Sequence, residues 1–253
     1  MEYASGGSLR HNLNNNFSKL TWSEKLWNLY QIALGLTDIH AKGLIHCDFH
    51  CGNILSIDTV NALITDLGLC KPANEKSEKS EKRIYGVLPY VAPEVLRGKE
   101  YTQASDIYGF GIIAYEVCTG YPPYHDIDHD DSLAIRICNG QRPNSNYKIP
   151  QLILDIIKQC WDADPLKRPK AEELKKLFYD LYGNLYYNRE DSEIYKQSKE
   201  ADEINKNSPS SSSLTGKLSY TTHPQAIYTS RLLDFKNLPE PKNDDNDLKC
   251  SGN

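Results

Sequence analysis

Hydrophobic residues recur at helical spacing in several separate stretches of the chain. Between Thr21 and Lys42 the apolar positions fall three and four residues apart, which is typical of an amphipathic helix. Thr21, with Glu24 three residues later, predicts a capping box at its start, and Gly43 suits the position just after its end. The same spacing predicts a strongly apolar, buried helix over residues 104–118. Shorter helices are predicted over residues 131–139, 152–161 and 171–182.

Short apolar runs broken by polar turns predict strands near the first helix. They cover residues 44–45, 54–57 and 62–65. Residues 71–85 are polar and charged and therefore predict a loop. The pattern predicts one folded domain over residues 1–187, mainly α-helical with a few short strands.

Beyond about Asn188 the hydrophobic pattern dissolves. Runs of serine, proline and acidic residues predict a low-complexity, disordered tail over residues 188–253. An apolar island at residues 227–235 interrupts it. A docking motif is one interpretation of this island, and a segment without fixed contacts is the favoured one.

Composition narrows the class of protein. The net charge of -5 gives no basic surface for nucleic acid, so no nucleic-acid partner is expected. No stretch is apolar for long enough to span a bilayer, and the N-terminus lacks the pattern of a secretory signal. The seven cysteines are odd in number and lie mostly in apolar segments. They are interpreted as reduced thiols of a cytoplasmic protein, with the nucleus as an alternative compartment.

The chemistry is concentrated in residues 46–68. Asp48 is followed five residues later by Asn53, and Asp66 opens an Asp-Leu-Gly turn. One carboxylate can orient and deprotonate a hydroxyl, while an amide oxygen and a second carboxylate can hold Mg²⁺ against phosphates. The pattern therefore favours phosphoryl transfer.

Three motifs in register resemble those of eukaryotic protein kinases. Residues 46–53 resemble the catalytic loop H-R-D-x-x-x-x-N, residues 66–68 resemble D-F-G, and residues 92–94 match A-P-E. The loop resembles the tyrosine-kinase-like group of Ser/Thr kinases. This resemblance implies the fold of a kinase hinge and C-terminal lobe, with short strands at the catalytic cleft.

The resemblance also implies roles for individual residues. Asp48 would be the catalytic base, while Asn53 and Asp66 would hold Mg²⁺, so ATP and Mg²⁺ are the expected cofactors. The other residues expected to contact the nucleotide are Glu2, Ala4 and Leu55. The expected partners are a protein substrate, phosphorylated on Ser/Thr in preference to Tyr, and an upstream adaptor or receptor.

Three positions depart from the family pattern. His50 stands where many Ser/Thr kinases carry Lys, and a contact with the transferring phosphate and a structural role are both open. Cys47 replaces the Arg that often binds an activation-loop phosphate, and a thiol cannot form that pair. Val87 replaces a Thr or Ser whose hydroxyl can bridge to the catalytic Asp.

Two further positions resemble architectural residues of the family. Asp106 resembles the acid that anchors the catalytic loop, and Arg168 resembles the Arg that pairs with the Glu of A-P-E, here Glu94. Both positions lie in the part of the chain that the resemblance covers. We expect Arg168→Ala to destabilise the lobe more than it affects the chemistry.

Other functions were weighed against the kinase hypothesis. The Cys and His residues of residues 46–51 are compatible with a zinc site, but they lie in one short loop without a second ligand pair. A scaffold without catalysis is another possibility, because a glycine-rich loop and its phosphate-gripping Lys do not occur in these 253 residues. Transfer by the isolated chain is therefore expected to be weak or absent. A small-molecule phosphotransferase would usually lack A-P-E.

Overall fold

A computed structural model describes residues 6–58, 60–74, 84–207 and 220–244. Its helices are α1 Leu9–Asn16, α2 Trp22–Ala41, α3 Pro93–Leu96, α4 Gln103–Thr119, α5 Asp131–Cys138, α6 Gln151–Cys160, α7 Ala171–Tyr186 and α8 Glu193–Lys206. Its strands are β1 Leu44–Ile45, β2 Ile54–Ser56, β3 Ala62–Ile64, β4 Lys71–Pro72, β5 Ile84–Gly86 and β6 Arg231–Leu233. The prediction of a mainly α-helical fold with few short strands is confirmed.

Helix α2 begins and ends where its sequence predicts. Thr21 Oγ1 accepts a hydrogen bond from the Glu24 N–H at 3.3 Å, and Glu24 Oε2 accepts one from the Thr21 N–H at 2.7 Å. Gly43 follows the helix with a φ of 69°, a conformation that glycine adopts without a steric penalty. The apolar face of α2 packs against α7 and α4.

Helix α4 forms the centre of the lobe. Thr102 caps its start, and every residue from Ser105 to Thr119 is buried, as the apolar sequence predicts. Gly120 ends the helix with a φ of 74°. The helix packs against α6 on one side and α2 on another. No helix in the described part of the chain combines the length and apolarity needed to cross a membrane.

Two antiparallel strand pairs frame the chemical residues. In one pair, β2 and β3 form a hairpin in which Ile54 faces Ile64. In the other, β1 pairs with β4, with Ile45 opposite Lys71. The segment with Asp48 connects β1 to β2, and Asp66 follows β3. The predicted loop at residues 71–85 thus contains β4 and the start of β5, while residues 75–83 lie outside the described residues.

The structure differs from the predicted disordered tail in two places. Helix α8 packs against α7, with Ile194 and Ala201 buried and Ser192 as its N-cap. Strand β6 lies in the apolar island and pairs with β5, so the favoured interpretation of that island was wrong. Local composition underestimated both elements because their order depends on packing against other elements, which composition alone does not show. The rest of the predicted tail, residues 208–219 and 245–253, lies outside the described residues.

Candidate active site

Asp106 holds the backbone of the loop that carries Asp48. Its Oδ2 accepts a hydrogen bond from the His46 N–H at 2.8 Å, and its Oδ1 accepts one from the Cys47 N–H at 3.2 Å. His40 Nε2 lies 2.9 Å from Oδ2. Cys47 has a φ of 68°, a left-handed conformation that is uncommon for a residue with a side chain. Asp106 therefore lies where the resemblance implied, and it stabilises a strained turn just before Asp48.

The Asp48 carboxylate lies at the floor of the cleft. Its side chain is 5% exposed, and its Oδ2 accepts a hydrogen bond from Asn53 Nδ2 at 3.2 Å. Burial disfavours its ionised form, but interactions with His50, Ser230 and Asn53 outweigh burial and hold its pKa below the usual range. The carboxylate is thus ionised at neutral pH. Among the described residues, Oδ1 has no hydrogen-bond partner, which leaves an acceptor for a proton.

His50 contacts Asp48 directly. Its Nδ1 accepts a hydrogen bond from the Gly52 N–H at 3.0 Å, which assigns the ring proton to Nε2. Nε2 lies 3.6 Å from Asp48 Oδ1. The ring therefore points its N–H towards the carboxylate from a nearly buried position. A catalytic role for His50 stays a prediction, and this geometry favours orientation of Asp48.

Asn53 and Asp66 are linked through the main chain. The Thr65 N–H donates a hydrogen bond to the Asn53 carbonyl oxygen at 2.8 Å, and the Thr65 carbonyl lies 3.0 Å from His46 Nε2. Asp66 follows with an exposed side chain and a left-handed φ of 56°. Because the Asn53 amide nitrogen is engaged by Asp48, its amide oxygen is left for a cation. One amide oxygen and one carboxylate are a donor set that fits Mg²⁺.

The other predicted nucleotide contacts are only partly described. Leu55 is half-buried in β2 and pairs across an isolated bridge with Ser8, close to the predicted hinge. Glu2 and Ala4 lie outside the described residues. A nucleotide contact of Leu55 therefore stays a prediction.

The described residues do not support a zinc site at this loop. Burial raises the pKa of the Cys47 thiol to about 12, with Asp106 adding to the effect. Burial also raises the pKa of the Cys51 thiol well above its usual value. The described residues also contain no group of three or more His, Cys, Asp or Glu side chains placed to hold a metal.

The segment that resembles the substrate-positioning part of a kinase lies next to Asp48. A Cβ on Gly86 would lie 3.8 Å from Asp48 Oδ1, so the backbone of β5 passes close to the carboxylate. Val87 is buried and presents no hydroxyl. At the end of the segment Glu94 forms the expected pair with Arg168, with N···O distances of 2.7 and 2.8 Å. This ion pair ties the segment to the helical core.

Two contacts of the site were not anticipated from the sequence. Ser230, in the tail, interacts with Asp48. Arg10, in α1, binds Glu116 with a 2.8 Å ion pair and also contacts Tyr90. For Ser230 the available signal was the apolar island that surrounds it. For Arg10 no motif marked the residue.

Comparisons with known proteins agree with this geometry. Residues 1–178 match the family described as protein tyrosine and serine/threonine kinase. A serine/threonine-protein kinase of Dictyostelium discoideum is 33% identical over 180 residues, covering 71% of this chain and 19% of that protein. A serine/threonine-protein kinase/receptor of Acanthamoeba polyphaga mimivirus is 34% identical over 184 residues, covering 72% of this chain and 11% of that protein. The chain therefore belongs to the protein kinase family, an enzyme family of phosphotransferases, and it spans less than a fifth of these relatives.

Proposed function

We propose that this chain carries the catalytic residues for transfer of the terminal phosphoryl group of ATP to Ser or Thr hydroxyls of a protein, and that this chain alone transfers it weakly. The observation that carries the proposal is the ionised Asp48 carboxylate, buried in the cleft with Oδ1 free of hydrogen bonds among the described residues. A base for a hydroxyl must be ionised and within hydrogen-bond reach of its proton. Asp48 satisfies the first condition, and its unpartnered Oδ1 offers the acceptor that the second condition needs.

The residues around Asp48 have separate tasks in this proposal. Asp48 orients the accepting hydroxyl and takes its proton, and His50 keeps the carboxylate in position. Asn53 and Asp66 would hold Mg²⁺, which neutralises charge on the phosphates when Mg²⁺ and ATP are bound. Asp106 keeps the loop in its strained conformation.

Preference for Ser and Thr over Tyr rests on two supporting observations. The segment before Glu94 lacks the proline-rich form that many tyrosine kinases carry. The relatives described above carry the name serine/threonine-protein kinase. An adaptor or receptor upstream of the chain stays a prediction from the resemblance.

Transfer of labelled phosphate from Mg²⁺-ATP to a Ser/Thr peptide library tests the proposal. Replacing Asp48 by Asn keeps the size and the contact with Asn53 but removes the base, so transfer should fall by about 10²–10⁴-fold. Asp155→Asn, at an exposed carboxylate of α6, is the matched control and should transfer at the wild-type rate. Equal transfer by Asp48→Asn, or none by the wild-type chain, would contradict the proposal.

A noncatalytic scaffold is not favoured. Asp48, Asn53 and Asp66 are all present, and the hydrogen bonds around them hold a loop that a scaffold would not need. The transfer assay distinguishes the two functions, because a scaffold would show no difference between the wild type and Asp48→Asn.

A further inference from the structure

The described part of the tail, residues 220–244, lies along the lobe and makes backbone contacts with several elements. The hydrogen bonds that hold it include His129 N–H to Gln225 O at 3.1 Å, Arg97 Nε to Leu238 O at 3.2 Å and Lys242 N–H to Cys138 O at 3.0 Å. We call residues 220–244 the tail segment.

The tail segment adds a strand to the substrate-positioning segment. Strand β6 pairs antiparallel with β5, and Arg231 lies opposite Gly86. Leu233 is 4% exposed, whereas the neighbouring Leu232 is 49% exposed, so alternate side chains face the lobe and the solvent. This is the arrangement by which an extended peptide binds to the edge of a sheet.

The register places Ser230 at the catalytic base. Gly86 lies beside Asp48 Oδ1, and Ser230 immediately precedes the residue that pairs with Gly86. Ser230 lies close enough to the Asp48 carboxylate for its hydroxyl to favour the ionised form, and the residue is exposed. A hydroxyl in this place corresponds to the one that a phosphoacceptor would offer.

A second anchor precedes Ser230. The Tyr228 ring lies 4.2 Å from the Arg10 guanidinium carbon, and the Tyr228 hydroxyl donates a hydrogen bond to the Pro123 carbonyl at 2.9 Å. His129 packs edge-on against the same ring at 5.0 Å. Tyr228 and Leu233 thus hold the chain on both sides of Ser230.

We propose that Ser230 is an intramolecular phosphoacceptor and that the tail segment occupies the protein-substrate groove until Ser230 is modified. This inference rests on the proposed function. In the step, a bond forms between Ser230 Oγ and the terminal phosphorus of ATP, and the bond from that phosphorus to the oxygen of the ADP leaving group breaks. The hydroxyl proton passes to Asp48. The product adds about -2 charge beside Asp48, and the repulsion displaces β6 and opens the groove.

Hydrogen exchange of the full chain tests docking without any catalysis. Amides at residues 84–86 and 231–233 should exchange more slowly in the wild type than in Leu233→Asp, by about tenfold or more. Leu232→Asp, one residue away and on the exposed side, should keep the wild-type protection. Ser230→Glu provides a second variant at an exposed position, where its charge should release the same amides. Equal exchange in the wild type, Leu233→Asp and Ser230→Glu would overturn the inference.

Mass-spectrometric mapping after incubation with Mg²⁺-ATP tests the acceptor. Phosphate should appear at Ser230 and not at the adjacent Thr229, at a fractional rate that does not depend on protein concentration. Ser230→Ala should carry no phosphate in the tail segment. Phosphate placed elsewhere with Ser230 unmodified, or a rate that rises in proportion to protein concentration, would overturn the inference.

The two proposals fail in different ways. If Leu233→Asp phosphorylates the peptide library while wild-type Ser230 stays unmodified, the acceptor inference is wrong and the proposed function stands. If neither protein transfers phosphate to any acceptor, the proposed function is wrong, and the acceptor role of Ser230 is wrong with it. Hydrogen exchange still decides in that case whether the tail segment is docked.

Discussion

Replacing Arg168 by Ala should destabilise the lobe more than any exposed charge change. The two terminal guanidinium nitrogens of Arg168 bind the Glu94 carboxylate at 2.7 and 2.8 Å. The Arg168 side chain is 0% exposed and the Glu94 side chain is 6% exposed. Arg168 also donates hydrogen bonds to the carbonyls of Ala104 and Asp162. Removing the cation leaves a buried carboxylate without its partner, which costs about 3–5 kcal/mol. That is a large share of the about 5–15 kcal/mol by which domains are stable.

Urea unfolding followed by far-ultraviolet circular dichroism measures this cost. With an m value of about 2 kcal/mol/M, the midpoint should fall by about 1.5–2.5 M urea. Arg97→Ala is the control, because Arg97 pairs with Glu240 at 2.5 Å while Glu240 is 77% exposed. Such exposed pairs contribute about 0–1 kcal/mol. A loss in Arg168→Ala no larger than in Arg97→Ala would refute the reasoning.

Four further substitutions follow from the structure. Burial lowers the pKa of Lys25 in the folded state to about 7. Between that value and the pKa of Lys25 in the unfolded chain, the unfolded state binds more protons, so the free energy of unfolding rises with pH. In denaturant titrations from pH 7 to pH 9, the wild type should therefore gain about 2 kcal/mol in the free energy of unfolding relative to Lys25→Met. Asp106→Ala leaves two backbone N–H groups of the catalytic loop without their acceptor, which should cost about 1–3 kcal/mol each in unfolding experiments and abolish phosphoryl transfer. A Cβ on Gly109 would lie 2.8 Å from the Phe49 carbonyl oxygen, so Gly109→Ala should lower the melting temperature. Gly183 has no atom within 4 Å of that position, so Gly183→Ala should raise it through helix propensity.

The helical core was predictable because its signals are local. The capping box of α2 is contained in four residues, and the burial of α4 follows from its nearly continuous apolar sequence. The pair of Glu94 with Arg168 was predictable only through the family resemblance, since nothing local relates residues so far apart.

Neither strand β6 of the tail segment nor helix α8 could be predicted from the sequence, and the reason is physical. Its strand is only three residues long, and its partner β5 lies far away in the chain. Helix α8 is mostly polar and is held by a few buried side chains, including Ile194 and Ala201. The average composition of a segment does not reveal a few buried side chains of this kind. The apolar island at residues 227–235 was the available signal, and without a known partner edge it did not distinguish docking from a segment without contacts.

The candidate site was predictable in its residues but not in its contacts. Asp48, Asn53 and Asp66 follow from motif spacing. The direction of the His50 ring depends on the Gly52 N–H, a detail of the local turn. Whether His50 faces the phosphate or the base therefore required the structure.

Phosphoamino-acid analysis of the wild type and Asp48→Asn, after incubation with Mg²⁺-ATP and a mixed library of Ser, Thr and Tyr peptides, tests the central claim most directly. It identifies both the reaction and the accepting hydroxyl. The account predicts phosphoserine and phosphothreonine with the wild type, and a loss of about 10²–10⁴-fold with Asp48→Asn. Phosphotyrosine as the main product, or equal labelling by the two proteins, would contradict it.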